Sequence, residues 1–305
     1  MDSFLHRVRA AFGDQSLTRL SSRSGGKLFS VTAVLATLTK PLEERGVIAM
    51  SSTERFMWPS DHLNYTTLIT TNGRTVGVRP LWQTPRVYEI IDFLSPFEVN
   101  HLIQIGELAK KDGSMFNSSV GGDHHVWNHA FRYSQQLWIN PDFDDEISKR
   151  IRERAADVAR LPVDLGEETQ LLYYPQGGHY IGHLDAIKPK ESNAYYDAGG
   201  NRIATFLYYL NTVEEGGETV FPRAKQQNFL NQDVCEGKDV ESIGLRIKPQ
   251  KGQVYMFYSL LEESHMQGKI DQTSYHTACP VKGESHKWLA NQWIRNKRVN
   301  GRLFD

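Results

Sequence analysis

The chain has little of several things that would have set its class early. It holds two cysteines, Cys235 and Cys279, in 305 residues. No CxxC spacing exists, so a zinc ribbon is excluded, and the pair is left either as one disulfide or as two thiols. Charge of one sign is also lacking: 35 basic residues face 36 acidic ones, for a net charge of −1. Bulk electrostatics therefore give no reason to expect a nucleic-acid partner. There is no long hydrophobic run. The best stretch, Leu28 to Leu38, is interrupted by Ser30, Thr32 and Thr37 and is too short to span a bilayer. No internal repeat is visible.

Acids are scarce in residues 1–42, where Asp2 and Asp14 stand against Arg7, Arg9, Arg19, Arg23, Lys27 and Lys40. Such a composition suits a transit peptide, a signal segment with Leu28–Leu38 as its apolar part, or a flexible tail. Residues 1–85 are expected to form an N-terminal extension, for targeting, anchoring or as a flexible segment. Residues 86–305 are expected to form the functional domain. Any membrane association would run through the extension.

Pattern emerges from Val87. Val87 to Phe93 reads as a strand, and Ser95-Pro96-Phe97-Glu98 opens a helix with Ser at the N-cap, Pro at N1 and Glu at N3. A loop rich in Gly, Asn and Ser follows from Lys111 to about His125. A second helix is predicted from Phe143 to Leu161, with Phe143, Ile147, Ile151, Ala155 and Val158 on one stripe and Pro162 as its stop. Short strands follow, near Thr169–Tyr174, Tyr180–Asp185, Ile203–Leu210, Glu218–Phe221, Leu245–Ile247, Gln253–Tyr258, Ser274–Val281 and Trp288–Ile294. Gly-rich turns separate them, and a long polar loop occupies Arg223–Gly244. Two helices before a run of strands predict an α+β fold, with a sandwich or jelly-roll core and the helices on one outer face.

His183-Leu184-Asp185 offers an imidazole and a carboxylate two residues apart, roughly 6–7 Å along a strand and on one face. Alone this pattern is common by chance, and a solvated strand face explains it as well. Among the 11 histidines, His124, His125 and His129 fall in or beside a polar loop. His179 lies four before His183, but glycines break any helix there and no zinc-protease pattern exists. His276 sits in a strand-like segment and is the better third ligand. Two imidazoles and one carboxylate leave three coordination sites open on iron, as an oxygenase needs. Lys287 would be costly inside a barrel unless it meets an anion, such as a carboxylate. A surface lysine is the plainer alternative.

The runs Tyr174 to Asp185, Arg202 to Asn211, Gly216-Gly217-Glu218-Thr219-Val220-Phe221-Pro222, Lys248 to Gly252, His276 to Val281, and Lys287 to Ile294 stand in this order along the chain. Together these blocks resemble the prolyl 4-hydroxylase alpha-subunit-like family of iron and 2-oxoglutarate dioxygenases. The long loop and the Lys287 block are most similar to the transmembrane prolyl 4-hydroxylase branch, although no Asp-x-Asp-x-Asp-Gly calcium loop is present. The resemblance implies a double-stranded β-helix, with iron(II) held by His183, Asp185 and His276. It implies Lys287 on the far carboxylate of 2-oxoglutarate, and Tyr174, Thr205 and Trp293 lining the cosubstrate pocket. Arg132-Tyr133-Ser134 and Trp138 are similar to a segment near the peptide groove. Tyr133, Trp127, Trp138, Tyr195 and Tyr196 are candidates to line that groove. Lys287 stands eleven residues after His276, where the family has ten, so Lys282 is the fallback.

The implied reaction is 4-hydroxylation of prolyl residues in a peptide or protein, with O2 consumed and succinate and CO2 released. L-ascorbate is the implied reductant. The alternatives are a same-fold dioxygenase acting on another residue or a small molecule, a non-catalytic binding protein on the same barrel, and a zinc hydrolase. Some family members pair cysteines placed like Cys235 and Cys279, which would imply an oxidising compartment. The sequons at Asn64 and Asn117 are consistent with one. The endoplasmic reticulum or secretory pathway is therefore the expected location, with mitochondrion or cytoplasm as the alternative.

Overall fold

Two antiparallel sheets carry the structure, a computed structural model that describes residues 57–63, 65–119, 128–140, 145–187, 200–224, 234–236, 243–261 and 269–296. The basic N-terminal segment, His124, His125, Trp127, Tyr195, Tyr196, Asn64 and most of the 223–244 loop lie outside these residues.

The larger sheet has nine strands. They are β1 (Thr67–Thr71), β2 (Arg74–Trp82), β3 (Val87–Ile91), β4 (Phe116–Asn117), β6 (Gln135–Ile139), β7 (Thr169–Tyr174), β9 (Arg202–Tyr209), β12 (Val254–Tyr258) and β14 (Lys287–Arg295). Their order is β1-β2-β3-β12-β9-β14-β7-β6-β4. The smaller sheet holds β5 (Arg132–Tyr133), β8 (His179–His183), β10 (Thr219–Phe221), β11 (Leu245–Ile247) and β13 (His276–Ala278), in the order β11-β10-β13-β8-β5. The expected jelly roll is present.

Alternation sorts the central strands. Leu172, Tyr174, Leu207, Tyr209, Tyr255, Phe257 and Leu289 join Phe221, Ile247 and Ala278 of the small sheet in one core between the sheets. Their sequence neighbours Leu171, Phe206, Tyr208 and Trp288 are buried as well, on the opposite face. A strand covered on both sides reads as a continuous apolar run, as Ile203–Tyr209 does.

That second face is covered by helices. Helix α1 (Pro96–Asp112) starts with the predicted capping box: Ser95 Oγ accepts from Glu98 N and the Glu98 carboxylate accepts from Ser95 N. Gly113 ends it at φ 82°. Helix α2 (Glu146–Ala159) is capped by Asp145 and ends at Arg160. The helices pack on each other, α1 on β7, and α2 on β14 and β1. Contact is close: a Cβ on Gly106 of α1 would lie 2.5 Å from the Trp288 ring and 2.9 Å from Leu171. Glu98 of α1 is bound by Arg154 of α2 at 2.7 Å, which ties the two helices.

The folded unit starts earlier than the expected boundary at residue 86. β1 and β2 extend the large sheet, and the compact unit runs from Met57. Trp58 is its first anchor. The indole donates to Val158 O at 2.7 Å and lies 3.3 Å beneath the Arg160 guanidinium. β4 also falls in a stretch expected to be loop, and the strand expected at Ser274 begins only at His276, after a 3-10 turn over Gln272–Ser274.

Candidate metal centre

β8 and β13 lie side by side with His183 opposite His276. The register then slips: Ala278 pairs with Tyr180, so three residues of β8 span two of β13. This β-bulge inserts one residue between Tyr180 and His183. Plain alternation would send those two side chains to opposite faces. With the bulge both face the cavity, and their rings stack at 3.8 Å.

Asp185 does not share the strand, contrary to the same-face reading. β8 ends at His183 and Asp185 lies in the bend beyond it. The bend returns the carboxylate to the histidines. Oδ1 lies 3.6 Å from His183 Nε2 and 3.9 Å from His276 Nε2. One ligand atom from each of the three residues falls within 4.8 Å of the others. Asn201 fixes the far side of the bend, because its side chain accepts from Ile187 N at 2.8 Å and donates to Ile187 O at 3.0 Å.

Each donor is oriented by a neighbour. His183 Nδ1 is 2.9 Å from Ile181 O, and His276 Nδ1 is 2.9 Å from Ser274 O. A carbonyl only accepts, so each Nδ1 carries the proton and each Nε2 presents its lone pair to the centre. Asp185 Oδ2 accepts from Thr205 Oγ1 at 2.7 Å and from Trp293 Nε1 at 3.0 Å, which leaves Oδ1 facing the two imidazoles. Burial and the neighbouring His276 push the His183 imidazole down to about 3. For Asp185 burial opposes ionisation, but His276, His183, Arg202 and the Thr205 bond outweigh it and hold the carboxyl at about 2. Two neutral imidazoles and one carboxylate, aimed at one point, are a donor set for a divalent cation.

Beside this point lies a small cavity of about 110 Å³. Tyr174, Tyr180, Arg132, Arg202 and Thr219 are among its walls. Thr205 and Trp293 were expected as cosubstrate-pocket residues. Trp293 does line the cavity, but Thr205 acts behind it, through Asp185. Lys287 is fully buried, with Nζ donating to Gly217 O at 2.8 Å and lying 4.3 Å from the Tyr174 ring centre. It sits behind the Tyr174 wall rather than in it. Burial pushes its ammonium down to about 7, against a smaller upward pull from Glu218. Lys282, the fallback, is instead half-exposed and 4.0 Å from Glu215.

Arg132 is buried against Ser134 Oγ, at 3.1 Å, and lies 4.6 Å over the Tyr180 ring. Trp138 meets Trp293 in a tilted arrangement at 5.8 Å, and Tyr133 meets His129 at 4.6 Å. His179 is off the site, with Nδ1 on Gly177 O. Sequence reasoning missed Tyr180, Arg202, Glu167 and Thr219. Arg202 lies 3.8 Å over Trp293 and is held by both oxygens of the fully buried Glu167, at 2.7 and 2.8 Å. An acid and an arginine far apart in sequence give no local signal of this pairing.

Cys235 and Cys279 form a disulfide across a sequence separation of 44. It fastens part of the long loop to the segment just past β13, three residues from His276.

The class of the protein follows first. A family model described as the 2OG-Fe(II) oxygenase superfamily matches residues 169–295, the span from β7 to β14. The solved prolyl hydroxylase of Trichoplax adhaerens, in complex with a hypoxia inducible factor oxygen degradation domain peptide fragment, has the same fold at TM-score 0.50 and 16% identity. That match covers 72% of this chain and 87% of that one. Among curated relatives, the probable prolyl 4-hydroxylase 6 of Arabidopsis thaliana is 34% identical over 211 residues, 69% of each chain. Prolyl 4-hydroxylase subunit alpha-1 of Homo sapiens is 29% identical over 217 residues, which are 71% of this chain but 35% of that subunit. The chain belongs to the prolyl 4-hydroxylase family. Iron(II) and 2-oxoglutarate are the cofactor and cosubstrate of that class, and the donor set fits the metal.

Proposed function

We propose that the protein hydroxylates prolyl residues at the 4-position in a peptide or protein, with iron(II) held by His183, Asp185 and His276. The convergence of two Nε2 lone pairs and Asp185 Oδ1 on one point carries this reading. The bound metal supplies activation of O2 coupled to oxidative decarboxylation of 2-oxoglutarate to succinate and CO2. The chain itself does the positioning. Thr205 and Trp293 hold the Asp185 carboxylate in register. The Tyr180 ring, stacked on His183, shields one side of the centre from water.

Lys287 is the group assigned to the distal carboxylate of 2-oxoglutarate, reached by exchanging its bond to Gly217 O. A fully buried ammonium with one backbone carbonyl and a ring as neighbours gains most from an anion. Tyr174, which lines the cavity, packs its ring against the Lys287 ammonium. Arg132 and Tyr133 are assigned to the peptide side. The Cys235–Cys279 bond supports an oxidising compartment such as the secretory pathway.

The test is succinate formation from 2-oxoglutarate with iron(II) and L-ascorbate, with and without a proline-rich peptide, beside His183→Ala. The expected result is succinate that rises with peptide, about 16 Da added to proline for the inserted oxygen, and loss of both in the variant. Turnover indifferent to such peptides would move the substrate to another residue or a small molecule. No iron-dependent turnover would leave a binding protein on this barrel.

A further inference from the structure

Gly182 precedes His183 and Tyr275 precedes His276. These two residues, Gly182 on β8 and Tyr275 at the end of the 3-10 turn that leads into β13, are in direct contact. A Cβ built on Gly182 would lie 2.1 Å from Tyr275 Oη, 2.3 Å from Cζ and 2.5 Å from Cε1. The tip of the phenol therefore lies against the glycine, in space that any side chain would take. The Arg223 guanidinium lies over the same ring, 4.1 Å from its centre. Arg223 donates in turn to Gln272 O at 3.1 Å, at the start of the 3-10 turn that leads into Tyr275.

This contact joins Gly182, inside the β8 bulge, to Tyr275, which directly precedes the paired His276, so it sits where the regular ladder breaks off beside the His183–His276 pair. Between the matched pairs His183–His276 and Tyr180–Ala278 the register is broken. A bulged strand bends and loses regular pairing, so side-chain packing adds to the ladder in fixing the distance there. The nearest atoms to the space above Gly182 all belong to the Tyr275 ring and its hydroxyl.

We propose that Tyr275 is a positioning residue for the metal centre. Its ring, packed against Gly182 and Arg223, sets the separation of the His183 and His276 imidazoles, whose centroids are 4.3 Å apart. This rests on the reading that His183, Asp185 and His276 bind a metal. Groups that orient ligands from the layer behind them typically change metal affinity by about 10–100-fold when lost.

The experiment is titration of the purified full chain with cobalt(II), following its visible absorption bands, beside thermal unfolding of the same samples. Tyr275→Leu and Gly182→Ala are each expected to weaken cobalt binding by at least about tenfold and to change the band shape. Tyr275→Phe keeps the ring and is expected to restore most of the affinity. Variants that unfold earlier but bind cobalt as the parent does, with the same bands, would make the ring a space filler and overturn the proposal. A parent that binds no divalent metal would sink the reading of the site, and the proposal with it. Equal loss in Tyr275→Phe and Tyr275→Leu would overturn the ring-packing account by pointing to the hydroxyl.

Discussion

The two sheets differ in how they are held and in what they carry. Nine strands of up to nine residues make the large sheet, and its central strands are buried on both faces. The small sheet has five strands of two to five residues, with a disulfide just past β13; register shifts occur in both sheets, in the small one beside the imidazoles and in the large one at Pro80/Trp82 and Ile294/Arg295. Yet both imidazoles of the centre stand on the small sheet, and Asp185 just past its β8. The large sheet supplies the groups behind them: Thr205 from β9, and Lys287 and Trp293 from β14. Chemistry is displayed on the weaker wall and aimed from the stronger one. The bulge in the small sheet is what brings Tyr180 and His183 to the same side.

Substitutions can break this division. The largest effect is expected from Asp185→Asn. The amide oxygen can still accept from Thr205 and Trp293, so the bend persists, but the charge is gone. Turnover should fall to background while the denaturation midpoint stays near that of the parent; a collapsed fold would show that the site also supports the small sheet. Trp288→Ala strikes the large sheet instead. It empties the contact with Gly106 and should cost about 3–5 kcal/mol in denaturant unfolding. A loss below about 1 kcal/mol would mean that the helices do not depend on that face.

The smallest effect is a pH dependence at Lys287. In the protein without cosubstrate its ammonium loses its proton at about 7, against an ordinary value of 10.5. Between these values the unfolded chain binds the extra proton. Stability therefore rises with pH across that window, and the full cost of the buried charge is felt below it. A 2-oxoglutarate dianion needs the charged form. Its dissociation constant should then climb by about tenfold per pH unit above 7. Calorimetric titration from pH 6 to 9, beside Lys287→Met, is the measurement. Equal slopes in the two proteins would remove Lys287 from cosubstrate binding.

Much of this division could be read along the chain because it is local. The capping box at Ser95 and Glu98 needs only four residues. The apolar run Ile203–Tyr209 reports a strand covered on both sides. His183 and Asp185 are close because little chain separates them, although the reason turned out to be a bend and not strand alternation. What stayed hidden depends on partners distant in sequence. Residues 67–82 became strands because β3 offers an edge and α2 a surface beneath Trp58. Pro80 reads against a strand, but Asn72-Gly73, both at positive φ behind the largely β-branched Thr67–Thr71 run, was a local hairpin signal that the expected boundary at residue 86 left out. The bulge arises only when β13 lies beside β8, so Tyr180 could not be assigned to the cavity from alternation. Glu167 and Arg202 meet across 35 residues of sequence.

Asn201 has a consequence for how this chain can be altered. By holding both the N–H and the carbonyl of Ile187, it joins the described residues on either side of positions 188–199. The entropy of closing such a stretch grows only with the logarithm of its length. Residues could be added or removed there, even a small foreign module inserted, and Asp185 would stay where it is. The centre is thus insulated from changes in length a few residues away, and new recognition elements can be tried at that position without rebuilding the chemistry.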